Sequence, residues 1–166
     1  MMRSPIPLLA AALLPLGASA ELSSTWTLTS DYVFRGVSQT AEDPALQGSI
    51  DYEGESGGYV GLWGSNVDFD NCCDEDIELN WYAGYAPEFE NGIGLDMGVI
   101  YYNYPGASGG LDYGEVYFGA SWKWLAATYY YSDNFFGIGE PAWYLETNAA
   151  FDLPWELSLG LHAGYT

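Results

Sequence analysis

Basic residues are almost missing from this chain: Lys and Arg together number three against 23 Asp and Glu, in 166 residues with a single histidine. That balance argues against nucleic acid as a partner and against attraction to anionic lipid through a polybasic segment. Long apolar runs are missing too, since nothing after the N-terminal leader approaches the roughly 18 residues a spanning helix needs. Cysteine is confined to the adjacent pair Cys72-Cys73. Neighbouring cysteines do not meet ordinary disulfide geometry, with its Cα separation of about 4.4–6.8 Å, unless the peptide between them is distorted. The pair is therefore expected as unpaired or strained loop thiols, and no disulfide framework exists. Catalytic constellations are missing as well. Ser158 shares a strand face with His162, the sole histidine, but at strand rise lies about 13 Å from it. No nucleophile elbow, P-loop, HExxH or zinc spacing occurs. The chain is not expected to be an enzyme, and no cofactor is expected.

What the chain has in quantity is aromatic and small: Gly at 21, Tyr at 15 and Trp at 7, with aromatics at 17% of residues. High net charge with modest hydrophobicity would otherwise point to disorder; this aromatic content points instead to β-structure with close backbone approaches and amphipathic anchors. Met1-Met2-Arg3, the apolar run from Pro5 to Gly17 and the small-x-small site Ala18-Ser19-Ala20 form a secretory signal peptide over residues 1–20. Its removal leaves Arg35 and Lys123 as the cations of the exported chain.

From residue 21 onward the pattern is period two, the signature of half-buried strands. Trp26, Leu28, Tyr32 and Phe34 oppose Thr25, Thr27, Thr29, Asp31 and Arg35; Leu46, Gly48, Ile50 and Tyr52 oppose Gln47, Ser49 and Asp51. Tyr59, Gly61, Trp63, Val67 and Phe69 are set against Gly64, Asn66 and Asp68. Clear alternation continues through residues 77–85, 95–101, 115–123, 127–131 and 143–151, and ends with Trp155, Leu157, Leu159, Leu161, Ala163 and Tyr165 against Glu156, Ser158, Gly160, His162 and Gly164. About nine strands of roughly 7–12 residues result, lengths suited to tilted membrane-spanning strands. Connections are long after the odd strands and short after the even ones, as in outer-membrane barrels with short periplasmic turns and long extracellular loops. Aromatics near strand ends, among them Trp26, Phe34, Tyr59, Phe69, Trp122, Trp124, Trp143 and Trp155, have the look of interfacial girdles. The expected fold is an all-β antiparallel transmembrane β-barrel occupying residues 21–166. Bacterial single-chain barrels have even strand numbers, so nine strands are expected to belong to an incomplete chain of a barrel of about 12 strands.

The stretch Ser30-Asp31-Tyr32-Val33-Phe34-Arg35-Gly36-Val37-Ser38-Gln39, followed by Pro44-Ala45-Leu46-Gln47-Gly48, resembles the opening of the TorF-like porins of Gram-negative bacteria. The likeness continues through Tyr59-Val60-Gly61-Leu62-Trp63-Gly64-Ser65-Asn66-Val67-Asp68-Phe69, Trp81-Tyr82-Ala83-Gly84-Tyr85 and Tyr101-Tyr102-Asn103-Tyr104-Pro105-Gly106. The resemblance implies an outer-membrane β-barrel of porin function and carries no catalytic residues.

With apolar faces toward lipid, the alternate face lines a lumen. The expected pore-lining residues are Asp31, Asp51, Asp68, Glu78, Asp96, Glu115, Glu146 and Glu156, with the cations Arg35 and Lys123. Arg35 is expected to pair with carboxylates of neighbouring strands such as Asp51 or Asp68. Carboxylates in a narrow low-dielectric passage concentrate cations, so the expected function is passive diffusion of small hydrophilic solutes or ions, with cations preferred. The alternatives are a non-conducting structural or adhesion barrel and a secreted soluble β-sandwich binding protein. Asp68, Asp70, Asp74 and Asp76 form a weak candidate Ca²⁺ cluster without EF-hand spacing. The expected partners are the lipid bilayer, lipopolysaccharide bridged by divalent cations, and small solutes or ions.

Overall fold

The computed structural model describes residues 20–69 and 73–166. The expected leader falls outside them except for Ala20, as do Asp70 and Cys72. Eleven strands form in chain order: β1 (Glu21–Thr29), β2 (Val33–Phe34), β3 (Val37–Ser38), β4 (Ala45–Glu53), β5 (Gly58–Asn66), β6 (Ile77–Tyr85), β7 (Ile93–Asn103), β8 (Tyr113–Trp122), β9 (Leu125–Ser132), β10 (Ala142–Leu153) and β11 (Leu157–Tyr165). Nine of them make one antiparallel sheet in the order β1-β4-β5-β6-β7-β8-β9-β10-β11; β2 and β3 form a separate hairpin. The only helical turn among the described residues is a 3-10 turn at Phe135–Gly137. No helix among them is long and apolar enough to cross a membrane.

Sequential pairing follows from alternating connection lengths. Two residues, Lys123 and Trp124, join the pair Trp122↔Leu125, and residues 154–156 join Leu153↔Leu157. Residues 54–57 and 86–92 serve the other short connections, while the longer connections after β1, β5, β7 and β9 leave the sheet from the opposite end. Since neighbours are antiparallel throughout, the edge strands β1 and β11 run in the same direction.

One face of the sheet is exposed and apolar. Leu28, Ile50, Val60, Trp81, Val99, Val116, Tyr129, Leu145 and Leu161, one from each sheet strand, are all well exposed on it. The opposite face, called inner here, buries polar and aromatic side chains: Glu78, Asn80, Asp96, Tyr102, Glu115, Tyr117, Tyr130 and Glu146. The sheet curls toward this face. Tyr59 on β5 and Tyr117 on β8 touch through their hydroxyls, although strands three apart in a flat sheet are separated by about 14 Å. Glycine makes the curl possible. Tyr117 lies across its cross-strand partner Gly98, where a Cβ would come within 2.5 Å of both the Tyr117 hydroxyl and the Ala83 carbonyl oxygen.

Two expected registers change. β5 turns Val60 and Leu62 outward, paired with Tyr52 and Ile50 on one side and with Ala83 and Trp81 on the other. Tyr59, Gly61 and Trp63 therefore face inward, opposite to the expectation. Nearly every position there is apolar or glycine, so alternation alone does not choose a side, and the outward apolar rows of β4 and β6 decide it. The first strand also stops at Thr29 and does not run on through Phe34. Phe34, Tyr59 and Phe69 pack against the buried inner cluster and are not girdle residues. Trp26, Trp122, Trp124 and Trp155 remain exposed on the outer face or in short turns.

Candidate functional site

The inner face is crossed by the chain between β1 and β4. Asp31 organises the entry to this strap: its Oδ1 accepts hydrogen bonds from Ser38 Oγ at 2.7 Å and Thr40 Oγ1 at 3.1 Å. Gln39 N–H donates to the Tyr32 carbonyl at 2.7 Å, and Asp68 N–H donates to the Gln39 carbonyl at 2.8 Å, fastening the returning limb to the chain beyond β5. Between these points Val33↔Ser38 and Phe34↔Val37 pair around the two-residue turn Arg35-Gly36. Both turn residues have positive φ, 49° and 88°, as the tightest hairpin turns require. Gly36 adopts this freely. Arg35 does so against the Cβ sterics that disfavour left-handed backbone, and the arrangement of its side chain offsets that cost.

The Arg35 guanidinium reaches β8 and makes two parallel bonds to Glu115, Nη1 to Oε1 and Nη2 to Oε2, each at 2.7 Å. It lies 4.6 Å from the Phe34 ring centre, 4.9 Å from that of Tyr130 and 4.6 Å from that of Tyr144. The side chains are 15% and 2% exposed, so the pair is largely withdrawn from water. Burial works against the charged guanidinium, but the Glu115 carboxylate outweighs it and holds the pKa of Arg35 above its ordinary value. Tyr102 completes Glu115, donating from Oη to Oε2 at 3.0 Å. The other end of the strap is anchored by Tyr32, whose ring meets Trp63 edge-on at 5.3 Å. Its hydroxyl lies 3.4 Å from both carboxylate oxygens of Glu78. Burial, reinforced by the Glu78 charge, keeps that hydroxyl protonated far above the ordinary range.

The long connections close over the same end. Tyr102 stacks on Tyr113 at 4.3 Å, Tyr113 on Phe136 at 5.1 Å and Phe136 on Tyr104 at 5.8 Å, with Phe69 against both Tyr104 and Phe136.

The ten residues expected to line a lumen divide. Asp51, Glu78, Asp96, Glu115 and Glu146 do lie on the inner face of β4, β6, β7, β8 and β10. Asp51 accepts from the Tyr82 hydroxyl, Asp96 from Tyr59 Oη at 2.6 Å, and Glu146 from Asn148 Nδ2 at 3.4 Å. Arg35 joins them through the strap, but its partner is Glu115 and neither Asp51 nor Asp68. Asp31 caps the strap and does not belong to a sheet strand. Asp68 lies beyond β5 and is exposed, bridged to Thr40. Lys123 sits in the two-residue β8–β9 turn with φ 56°, its Nζ 4.1 Å over the Trp122 ring. Glu156 sits in the β10–β11 turn with φ 59°. Tight turns carried both charges off the strands to which simple alternation assigned them.

Of the weak candidate Ca²⁺ cluster, Asp68, Asp74 and Asp76 are among the described residues. Among the described residues no three His, Cys, Asp or Glu side chains are placed to hold a metal; Asp74 faces Ser108 at 3.4 Å, and Asp70 lies outside the described residues. Cys73 is disulfide-bonded, with φ 77°, which removes the unpaired half of the expected unpaired or strained loop thiols. His162 spends its ring nitrogens on Asn148 Oδ1 at 2.8 Å and the Tyr144 hydroxyl at 3.3 Å. Sequence reasoning missed the tyrosines that partner the inner carboxylates, namely Tyr32, Tyr59, Tyr82 and Tyr102. Two of the four, Tyr59 and Tyr82, stand opposite glycines, in the pairs Tyr59↔Gly84 and Gly61↔Tyr82.

Fold and site together define an all-β protein: one curled antiparallel sheet, apolar outside, with a tyrosine- and carboxylate-rich inner face crossed by a strap. The chain belongs to a bacterial protein family of unknown function, Gcw_chp, whose model matches residues 16–166. No curated protein and no solved structure matches it.

Proposed function

We propose that this protein is an outer-membrane β-barrel of the porin type, exported by its leader and admitting small hydrophilic solutes or ions, cations in preference to anions. The observation that carries the reading is the outer face. Apolar side chains stand exposed on every strand of the sheet, with Trp26 at 72% and Leu28 at 77%. A water-soluble protein rarely leaves a continuous apolar surface of this extent uncovered, whereas hydrocarbon matches it. Further support comes from the curl of the sheet, the segregation of long and short connections to opposite ends, and the resemblance to TorF-like porins. Closure would come either from a parallel seam between β1 and β11 or from additional strands between them.

The cation preference rests on five inner carboxylates, Asp51, Glu78, Asp96, Glu115 and Glu146, facing Arg35 as the cation of that face. Fixed negative charge in a low-dielectric passage raises the local cation concentration. The reading involves diffusion and no reaction. Lipid is the principal partner; acidic side chains at the long-connection end, such as Asp74 and Asp112, would meet lipopolysaccharide through bridging divalent cations.

A non-conducting structural barrel is favoured by one observation, the packed state of the interior, where Glu78, Asn80 and Tyr102 are almost fully buried. Membrane fractionation and reconstitution into planar bilayers test both. The protein should partition into detergent with the outer membrane, and single channels should appear with a cation-selective reversal potential. Detergent partition without channels in repeated reconstitutions would leave the structural barrel; recovery in the aqueous phase would refute both.

A further inference from the structure

The strap between β1 and β4 has more built into it than a connection requires. It leaves the sheet at Thr29, crosses the inner face, and touches Trp63 on β5, Glu78 on β6, Tyr102 on β7, Glu115 on β8, Tyr130 on β9 and Tyr144 on β10. At its tip Arg35 is held in left-handed backbone, as Lys123 and Glu156 are in their tight turns, but here the side chain is clamped as well. The tip is held by one charge pair and by Phe34, whose ring packs on Tyr102 at 5.9 Å, while Val33, Gly36 and Val37 at the hairpin are exposed. The Arg35–Glu115 pair is the one ionic anchor of this hairpin, and losing it would leave the tip with the Phe34 contact alone.

We propose that the Val33–Ser38 hairpin is a gate across the inner face, held in the closed position by the Arg35–Glu115 pair seated among Phe34, Tyr130 and Tyr144. The proposal rests on the barrel reading and specifies its regulation. Release lifts Arg35 from Glu115, which exposes a carboxylate already bonded to Tyr102 and swings the hairpin off the face formed by β8, β9 and β10. Closed, the strap supplies the inner face with its cation; open, it leaves that face purely acidic. The gate therefore couples permeability to charge selectivity.

The near absence of basic residues provides a direct assay. After export the chain has two trypsin sites, at Arg35-Gly36 and Lys123-Trp124. Lys123 is exposed in a short turn, whereas Arg35 is clamped. In full-length wild type, folded in detergent micelles, trypsin should cut at Lys123 and spare Arg35. Glu115→Gln keeps the shape of the partner and removes its charge; it should open Arg35 to cleavage and raise channel conductance several-fold in planar bilayers. If Glu115→Gln does not assemble, Arg35→Lys retains a trypsin site and the positive charge without the two-pronged fit, and should give the same two results. The exchanged pair Arg35→Glu with Glu115→Arg should restore wild-type conductance. Wild-type conductance in a variant whose strap is cleaved at residue 35 would overturn the gate and leave the porin reading intact. Equal protection of residue 35 in wild type and variants would overturn the latch. Cleavage of the variants with no channel in any of them, wild type included, would remove the porin reading, and the gate with it, while leaving the latch.

Discussion

Replacing Val99 with Arg separates a lipid-facing surface from a wet one. Val99 lies next to Gly98, the middle residue of β7 (Ile93–Asn103), and is 52% exposed on the outer face, with Ala83 and Val116 as its cross-strand neighbours. If the outer face meets hydrocarbon, this position is about 3 Å along the strand from the bilayer midplane. An Arg there costs about 2–4 kcal/mol, a shift of roughly 30- to 700-fold in the folding equilibrium. Ile93, at the start of the same strand, is the internal control. It lies about 17 Å along the strand from Gly98, or about 13 Å in height at a tilt near 40°, close to the rim of an apolar band about 25 Å tall. Arg at that position should cost only about 0–1 kcal/mol. On a solvated surface both substitutions should stay within about 0.5 kcal/mol of wild type. The assay is urea-dependent folding into phosphatidylcholine vesicles followed by tryptophan fluorescence, with the gel shift between folded and heat-unfolded protein as a second readout. A cost below about 0.5 kcal/mol for Val99→Arg, or equal costs at both positions, would refute a lipid-facing outer face.

Gly98→Ala should destabilise by about 1–3 kcal/mol, because the new methyl meets a carbonyl oxygen that cannot move without parting β6 from β7. Gly114→Ala, whose nearest atom is the Ile100 carbonyl oxygen at 3.7 Å, should be close to neutral in the same urea titration. Tyr59→Phe removes the hydroxyl that donates to Asp96 at 2.6 Å and should cost about 1–3 kcal/mol; an unchanged midpoint would mean that water already serves Asp96. In a potassium chloride gradient, Asp51→Asn combined with Asp96→Asn should move the reversal potential toward zero. A wild-type preference for anions would sink the selectivity argument and leave the channel standing.

Legibility in the sequence followed the chemistry of each strand. In β6, β7, β8 and β10 small or polar residues alternate with large apolar ones, so the inward positions of Glu78, Asp96, Glu115 and Glu146 could be read directly. In β5 the run Tyr59-Val60-Gly61-Leu62-Trp63 offers either face a hydrophobic row, and only pairing to Ile50 and Trp81 fixes the register. Tyr32 and Phe34 shared a period with Trp26 and Leu28, which hid the break after Thr29. The overlooked signal was a glycine directly after Arg35, between Val33-Phe34 and Val37-Ser38, the spacing of a two-residue hairpin. The partner of Arg35 could not be read at all. Glu115 is 80 positions away, and the two meet only because a strap starting at the first strand crosses to the sixth strand of the sheet. Lys123 and Glu156 failed for a local reason, since tight turns interrupt the alternation that had placed them on strands.

The scarcity of Lys and Arg and the abundance of Tyr express one solution to a single problem. A curled sheet with an acidic inner face must satisfy buried carboxylates, and on the proposed porin reading fixed cations would cancel the field that favours cation entry. Tyrosine supplies a hydrogen-bond donor without a charge. Tyr32 serves Glu78, Tyr59 serves Asp96, Tyr82 serves Asp51 and Tyr102 serves Glu115. Each carboxylate is thereby oriented by a neutral donor, and at Glu115 Arg35 is added from the strap. Tyrosine is also long, and a long side chain on the concave side of a curled sheet needs somewhere to lie. The glycines of neighbouring strands provide that space, Gly84 beneath Tyr59, Gly61 beneath Tyr82 and Gly98 beneath Tyr117. The inner tyrosines, the glycines beneath them and the scarcity of basic residues thus belong to the same inner face, and Arg35, the cation that joins it, sits on a hairpin outside the nine-stranded sheet.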